Sequence, residues 1–413
     1  MENIIITPKA LCKNNFKEPM KFKNFLTQKP DPNNKILHDL SPSIHMILLL
    51  GIFPRDKSKS KKDSLLRRFL CRTVENLIHA FWLYVFVVGS LVVSPLTRHL
   101  QTNFTLSLMN MIIAIVHFVL HLKRHKVYSV IRTIEKFYTS ATTDAYQPMR
   151  NRLIALICGC LLLCFVMIIT SLEHLKVAGV LEDYTKDFVF GMNITKEDCK
   201  FFDIFPTLFV TTTVIYHHLS PISVSIFICS IHLTFKKSIA KFGERIEKDR
   251  LSKCTNIDIY ISLYNRMVDV LGEVEDLLSA STFFLYGGLI TNQLCVLTQV
   301  IANGGILTHP ASIMMESMLT VKNFVIFFSI TLIGSSVTQE TNRVAREIKC
   351  LTVESSHDFE KLSILLQNVC STSASLTAWQ MFSLKKNLIL TTASVMVSYG
   401  MLLVQFSNKT NIY

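Results

Sequence analysis

The sequence predicts an all-α integral membrane protein with seven transmembrane helices. Of its 413 residues, 50% are hydrophobic, and the mean hydropathy is +0.37. Long apolar runs recur along the chain, each close to the ~20 residues with which a helix crosses a bilayer core. Charged residues gather between these runs instead of alternating with apolar ones. This pattern is typical of a multi-pass membrane protein and not of a soluble multidomain chain.

The predicted spans follow a cytosolic amino-terminal segment, residues 1–75. Within it, residues 1–40 are polar and rich in Lys, which predicts little order, whereas 43–53 is predicted to form a short apolar helix. Residues Met1–Ile36 contain no apolar stretch of the kind found in a cleaved signal peptide. The spans are placed at about 76–96, 104–122, 153–172, 204–232, 281–302, 321–337 and 387–407.

Polar stretches between the spans also carry helical periodicity. In 233–280, apolar residues recur every three or four positions, so the fourth and fifth helices are predicted to continue into the cytosol as amphipathic rods. Together with these extensions, 76–337 is predicted to form a six-helix transmembrane bundle. Residues 338–386 form a further polar cytosolic segment, and 408–413 form a short outer tail.

Charge and glycosylation signals agree on the orientation. Most of the 43 Lys and Arg residues lie in 1–76, 123–152, 233–280 and 338–386, while Lys322 falls at a span boundary. An excess of basic residues marks the cytosolic side of a membrane protein. With the amino terminus in the cytosol and the carboxyl terminus outside, all N-glycosylation sequons are extracellular. These sequons begin at Asn103, Asn193 and Asn408.

The topology and the motif content exclude several classes of function. A G-protein-coupled receptor has its amino terminus outside, opposite to the predicted orientation. No P-loop, nucleophile elbow or zinc-protease motif occurs, so neither enzymatic activity nor a cofactor is predicted. The net charge of +13 comes from basic residues at the ends of apolar segments and does not indicate nucleic-acid binding. A membrane transporter is an alternative from a different class, although no internal repeat supports it.

One histidine series has the spacing of a metal site. His117, His121 and His125 share a helix face at four-residue steps. Their neighbours Lys123 and Arg124 favour interfacial side chains at the cytosolic end of the helix instead, so no metal is predicted. No Cys-x-x-Cys pair adds zinc ligands.

Polar residues within the outer halves of the spans are candidates for a small-molecule site. Such side chains are costly in lipid, so they face a cavity or another helix. Taken one residue at a time, hydrogen bonding between helices is the favoured interpretation, and convergence on one small polar ligand is the alternative. The candidates are Asn110, Tyr216, His217, Gln293 and Gln299.

The last span carries a polar stripe. Thr391, Ser398 and Gln405 recur every seven residues and therefore share one face of an otherwise apolar helix. In a symmetric oligomer these side chains would face identical stripes or a column of water. Either environment supplies the hydrogen-bond partners that lipid lacks. Alternatively, the stripe binds another helix of the same chain. Periodicity alone leaves both interpretations open.

The carboxyl-terminal residues resemble those of insect gustatory receptors. In that family the seventh helix bears Thr-Tyr, five mostly apolar residues and then Gln-Phe. This chain has Ser398-Tyr399 and Gln405-Phe406 at the same spacing, with one small hydroxyl residue in place of another. The stretch Thr377–Phe382 is also similar to the family's approach to this helix.

The resemblance implies a tastant-gated, non-selective cation channel in the plasma membrane of chemosensory neurons. It implies four subunits, identical or mixed with other gustatory receptor subunits, with the seventh helices, 387–407, around a central pore. It further implies a tastant pocket within 76–337 and a cytosolic anchor that includes 338–386. Gln405 and Phe406 match the family's gate positions near the outer mouth of the pore. The stripe of Thr391, Ser398 and Gln405 suits the lining of the pore that the resemblance implies.

The resemblance also orders the alternatives within this class. Gly400 follows Tyr399 where sugar-responsive members carry an acidic residue, which favours a bitter or other plant compound over a sugar. A sugar-responsive receptor is therefore an alternative. An insect odorant receptor subunit is another, since odorant receptors share the topology and assembly but usually lack the terminal Gln-Phe.

Overall fold

The structure is a computed structural model, and it describes most of the predicted helices. The described segments are 35–52, 100–142, 148–177, 200–251, 257–302, 310–354 and 375–410. Isolated described positions are 73, 76–78, 80, 81, 146, 363, 365–367 and 369. Most of the first predicted span, 76–96, and the sequon at Asn193 lie outside the described residues.

The described residues form helices and one short hairpin. The helices are α1 Lys35–Leu49, α2 Leu100–Lys123, α3 Val127–Ala141, α4 Arg150–Val177, α5 Lys200–Leu251, α6 Ile257–Ala302, α7 Pro310–Glu354 and α8 Asn387–Thr410. A single 3-10 turn, Arg124–Lys126, joins α2 to α3. The hairpin strands are β1 Thr377–Ala378 and β2 Phe382–Ser383.

Predicted spans two to seven fall within α2 and α4 to α8. Among the described residues, five helices, α4 to α8, are long and apolar enough to cross a membrane. Several helix boundaries differ from prediction, and α7, for example, extends beyond both ends of the predicted span 321–337. Helix α2 begins at Leu100, so the sequon at Asn103 lies in its first turn and not in a link. Helix α8 continues to Thr410 and takes in Asn408, because the run of helix-compatible residues does not end where the apolar run does.

Helices α5 and α6 have the helical extensions that periodicity predicts. Helix α5 passes without a break from the predicted span into the polar region beyond residue 233. Helix α3 covers the apolar face of this extension, and the Phe137 ring meets the Phe242 ring edge-on at 6.1 Å. We refer to Phe137, Phe235, Ile239, Phe242 and Ile246, all 0% exposed, as the extension core. The cytosolic position of this core stays a prediction.

Helix α1 begins earlier than predicted. It starts at Lys35 and continues through Pro42, so the expectation of little order is wrong for Lys35–Leu40. Ile36 and Leu40 are both buried, one helical turn apart on the same face. The many Lys residues of 1–40 make this short apolar face hard to recognise in the sequence. Packing of the face against the bundle orders the helix.

Asp39 joins α1 to the start of α4. Its buried carboxylate accepts hydrogen bonds from Tyr146 Oη at 2.6 Å and from the backbone N–H of Met149 at 2.8 Å. Burial, and then the hydrogen bond to Asp39, raise the pKa of Tyr146 above its ordinary value. The carboxylate therefore satisfies a backbone donor at the amino end of α4, where negative charge is favourable.

The hairpin leads the chain into α8. Strand β1 pairs antiparallel with β2, with Thr377 opposite Ser383. The turn places Trp379 and Gln380 at φ 48 and φ 58, in the left-handed region. The Trp379 ring lies 5.3 Å from the Phe283 ring of α6, so aromatic packing holds this turn against the bundle.

Leu384 fixes the foot of α8 on α7. It is buried, and a Cβ at Gly334 would lie 2.8 Å from Leu384 Cδ1. Any side chain at Gly334 would therefore require Leu384 to shift. Lys385 and Lys386 follow, exposed, directly before α8. The packing of the preceding segment therefore sets where α8 begins.

Candidate functional site

Helix α8 presents its polar stripe away from the rest of the chain. Thr391, Ser398 and Gln405 are exposed, and Thr391 Oγ1 donates only to the carbonyl of Asn387, 3.1 Å away. Among the described side chains of α8, Thr392 alone is buried. The stripe therefore does not bind another described helix of the same chain. The side chain of Phe406 lies outside the described residues.

The opposite face of α8 lies against α6 and α7. Tyr399 Oη is 3.4 Å from Thr298 Oγ1 of α6, which is the packing that helical geometry predicts for the residue next to Ser398. One residue further on, a Cβ at Gly400 would lie 3.3 Å from Leu297 Cδ2. The motif residues thus divide between an exposed face and a face in contact with α6.

A first cavity lies among α2, α5, α6 and α7. Its polar lining consists of Ser220, Lys322 and Asn323. Its volume is about 10 Å³, room for about one water molecule, so a larger ligand enters only when lining residues move apart. The other lining residues are apolar or glycine, namely Ile112, Ile113, Val116, Pro221, Leu285, Gly288 and Leu289. A mostly apolar cavity with a few polar groups is the usual form of a small-molecule site.

A second cavity lies beside the first, between α6, α7 and α8. Gln293 and Asn323 line it, together with Thr392 and Met396 of α8, and its volume is about 40 Å³. Gln293 Nε2 donates to Thr320 Oγ1 at 3.3 Å. Asn323 and Leu289 line both cavities. Two side chains therefore form a common wall between the first cavity and the space under α8.

A buried polar chain leads from the first cavity toward α4. Lys322 is 3% exposed, and its Nζ donates to His218 Nδ1 at 3.5 Å. His218 Nε2 lies 3.0 Å from Ser171 Oγ of α4. Because an ammonium only donates, His218 must accept at Nδ1, and its proton sits on Nε2 facing Ser171. The three side chains are all buried.

The structure distributes the predicted ligand residues differently from the prediction. Gln293 lines the second cavity, whereas Tyr216 and His217 line neither cavity. The Tyr216 ring packs 6.2 Å from the His117 ring, as expected for contact between helices. For Asn110 and Gln299 the helix is described and the side chain is not.

Lys322 and Asn323 are the site residues that the sequence reasoning did not select. The signal was present, because Lys322 is a lone charge in an apolar run, and a charged residue within a span marks a functional site by default. Assigning it to a span boundary removed it from consideration. Asn323 is a polar residue near the outer end of the predicted span 321–337, so the criterion that selected Gln293 could have selected it as well.

The histidine series does not form a metal site in the described residues. His117 packs against Tyr216, and both ring nitrogens of His121 lie within 2.9 Å of Arg124 Nη1. Within the described part of the chain, no group of three or more His, Cys, Asp or Glu side chains could hold a metal ion.

Solved structures share this fold. The insect olfactory receptor OR5 from Machilis hrabei in complex with eugenol superposes with a TM-score of 0.65 at 14% identity, covering 90% of this chain and 100% of that one. The same receptor described without that ligand gives a TM-score of 0.65 at 12% identity, covering 91% and 100%. No family model matches the sequence, and no curated protein does. The chain therefore has the fold of an insect olfactory receptor, at an identity that bears on the fold alone.

Proposed function

We propose that the protein is a tastant-gated, non-selective cation channel of the plasma membrane, formed by four copies of this chain or by this chain with related subunits. The observation that carries the proposal is the exposed polar stripe of α8, Thr391, Ser398 and Gln405, on a helix otherwise apolar enough to span the bilayer. A polar stripe exposed to lipid would be unsatisfied. Four such stripes around one axis would line an aqueous path.

The contacts of α8 suggest how ligand binding would open this path. Asn323 and Leu289 separate the first cavity from the second, and α8 closes the second through Thr392 and Met396. A ligand in the first cavity displaces these shared residues, and α8 moves with them. The Tyr399 to Thr298 contact on α6 provides a second connection to the bundle. The ligand-bound and ligand-free states of the chain then differ in the contacts that Asn323 and Leu289 make in both cavities.

The tastant assignment, in preference to an odorant, rests on the resemblance of Ser398-Tyr399 and Gln405-Phe406 to the gustatory receptor pattern. The second candidate is an odorant-gated channel subunit. It is favoured by the shared fold with an olfactory receptor whose solved complex contains eugenol.

Electrophysiology on the full chain expressed alone tests the proposal. We expect a cation current when taste compounds, bitter plant compounds included, are applied to cells that lack other chemoreceptors. A panel of volatile compounds that includes eugenol forms the second arm, and a response confined to it would favour the odorant alternative. The channel proposal fails if surface-expressed protein gives no current with either panel, or signals only through G proteins.

A further inference from the structure

The first cavity contains a cation without a counter-ion. Lys322 lines the cavity and is 3% exposed, and in the described part of the chain no carboxylate pairs with it. Its single hydrogen bond, to His218 Nδ1, is long at 3.5 Å. A buried ammonium that lacks an anionic partner is destabilising, because water no longer solvates its charge.

The neighbours of Lys322 do not supply the missing charge. His218 accepts from Lys322 with its neutral ring nitrogen, and Ser171 stands behind it as an uncharged hydroxyl. This chain holds the lysine side chain in place without neutralising it. The ammonium keeps two further N–H donors for a group in the cavity.

Asn323 provides a second, independent indication of a ligand. It lies next to Lys322 in sequence, lines the same cavity and is 3% exposed. Within the described part of the chain, neither Oδ1 nor Nδ2 of its amide has a hydrogen-bond partner. Buried amides are almost always paired, so the unpaired donor Nδ2 indicates an acceptor that the described residues do not supply.

We propose that the first cavity binds a small, mostly apolar molecule through a carboxylate group. One carboxylate oxygen accepts from Lys322 Nζ and the other from Asn323 Nδ2. The apolar part of the molecule contacts Ile113, Val116 and Leu285, which are buried cavity residues. This inference rests on the proposed function, because it names the chemical class of tastant that the channel recognises.

A neutral ligand fits this lining less well. A primary amide of the same shape would satisfy Asn323 but would leave the charge of Lys322 unpaired. Lys322 therefore selects for charge, whereas Asn323 contributes to binding of either compound. We therefore expect substitutions of Lys322 and of Asn323 to change ligand binding in different ways.

The decisive experiment compares two ligands of the same shape on the purified full chain. Binding of 3-phenylpropionate and of 3-phenylpropionamide is measured by isothermal titration calorimetry at neutral pH, and repeated with hexanoate and hexanamide. We expect each carboxylate to bind about 30-fold more tightly than its amide, the range for completing a buried charge pair. Equal affinities, or tighter binding of the amides, overturn the proposal. No variant is needed for this decision.

Variants then assign the preference to its residue. Lys322→Gln is expected to remove the preference for carboxylate while amide binding persists. Asn323→Leu is expected to weaken binding of both compounds and to keep the preference. Lys349→Gln, on an exposed part of α7, is the matched lysine control and is expected to bind as the unmodified chain does. A preference unchanged in Lys322→Gln contradicts the assignment.

The current measurement separates this inference from the proposed function. Tight carboxylate binding without any evoked current would contradict the channel function and leave the anion site supported. Current evoked only by neutral compounds, with no carboxylate preference in binding, would support the channel and overturn the anion site.

Discussion

The extension core, on α3 and α5, and the cavity residues Lys322 and Asn323, on α7, place opposite kinds of residue in the interior of the same bundle. In the extension core, α5 packs Phe235, Ile239 and Phe242 against α3 with no exposed surface. Elsewhere in the bundle, Lys322 and Asn323 are nearly as deeply buried. Among the described residues Lys322 has no carboxylate partner, and neither polar atom of the Asn323 amide is paired. The two sets of side chains are buried to a similar extent but contribute oppositely to the free energy of folding. Burying apolar side chains stabilises the fold, whereas burying unpaired polar groups destabilises it.

This difference indicates that the two regions serve different purposes. A close-packed apolar core resists rearrangement, since any displacement opens a void. A region with unsatisfied polar groups gains stability when a ligand supplies partners, so its conformation responds to binding. If the first cavity binds a ligand as proposed, the chain combines a close-packed region with a region that the ligand stabilises.

The largest expected effect comes from the extension core. Phe242→Ala removes a fully buried ring that α3 covers, and we expect it to lower the free energy of unfolding by about 3–5 kcal/mol. Thermal unfolding of the purified protein measures this change. Phe118→Ala, at a ring that is 60% exposed on α2, is the matched control and is expected to change stability far less. Equal destabilisation by both variants would contradict the role assigned to the core.

A smaller effect is expected at the exposed face of α8. Gln405→Ala removes an exposed amide from the polar stripe, and we expect a change in single-channel conductance or cation selectivity on the order of twofold, with surface expression preserved. Recordings from the full chain measure this change. Gln405→Asn keeps the amide and is expected to retain most of the permeation properties. Unchanged permeation in Gln405→Ala would place the stripe at a packing interface instead of the pore.

The smallest expected effect on stability is at Asn323. Because neither polar atom of its amide has a partner among the described residues, Asn323→Leu replaces a destabilising group by an apolar one of similar shape. We expect the free energy of unfolding without ligand to stay within about 1 kcal/mol of that of the unmodified chain, or to rise. Chemical denaturation in the absence of ligand measures it. A loss comparable to that of Phe242→Ala would show that Asn323 contributes to packing as the core does.

The sequence by itself determined the class of protein and the periodic helices. Apolar run length and charge distribution predicted the spans, of which those in α2 and α4 to α8 fall in described helices. Steps of three and four residues predicted the buried face of the α5 extension. These features could be predicted because each depends on residues close together in the chain, where helical geometry relates spacing to a face. Local composition gave the wrong prediction for Lys35–Leu40, at the end of the Lys-rich residues 1–40. Contacts with helices distant in the chain order these residues.

The tertiary structure alone decided which polar residues meet. Tyr216 and His217 matched the expected residue types and line neither cavity, whereas Lys322 and Asn323 do line the first one. His218 and Ser171 are 47 residues apart in the chain and 3.0 Å apart in space. Helical periodicity gives a residue's face but not the helix that the face meets. The rotation and pairing of α2, α5, α6 and α7 set that partner, and they result from packing over the whole bundle.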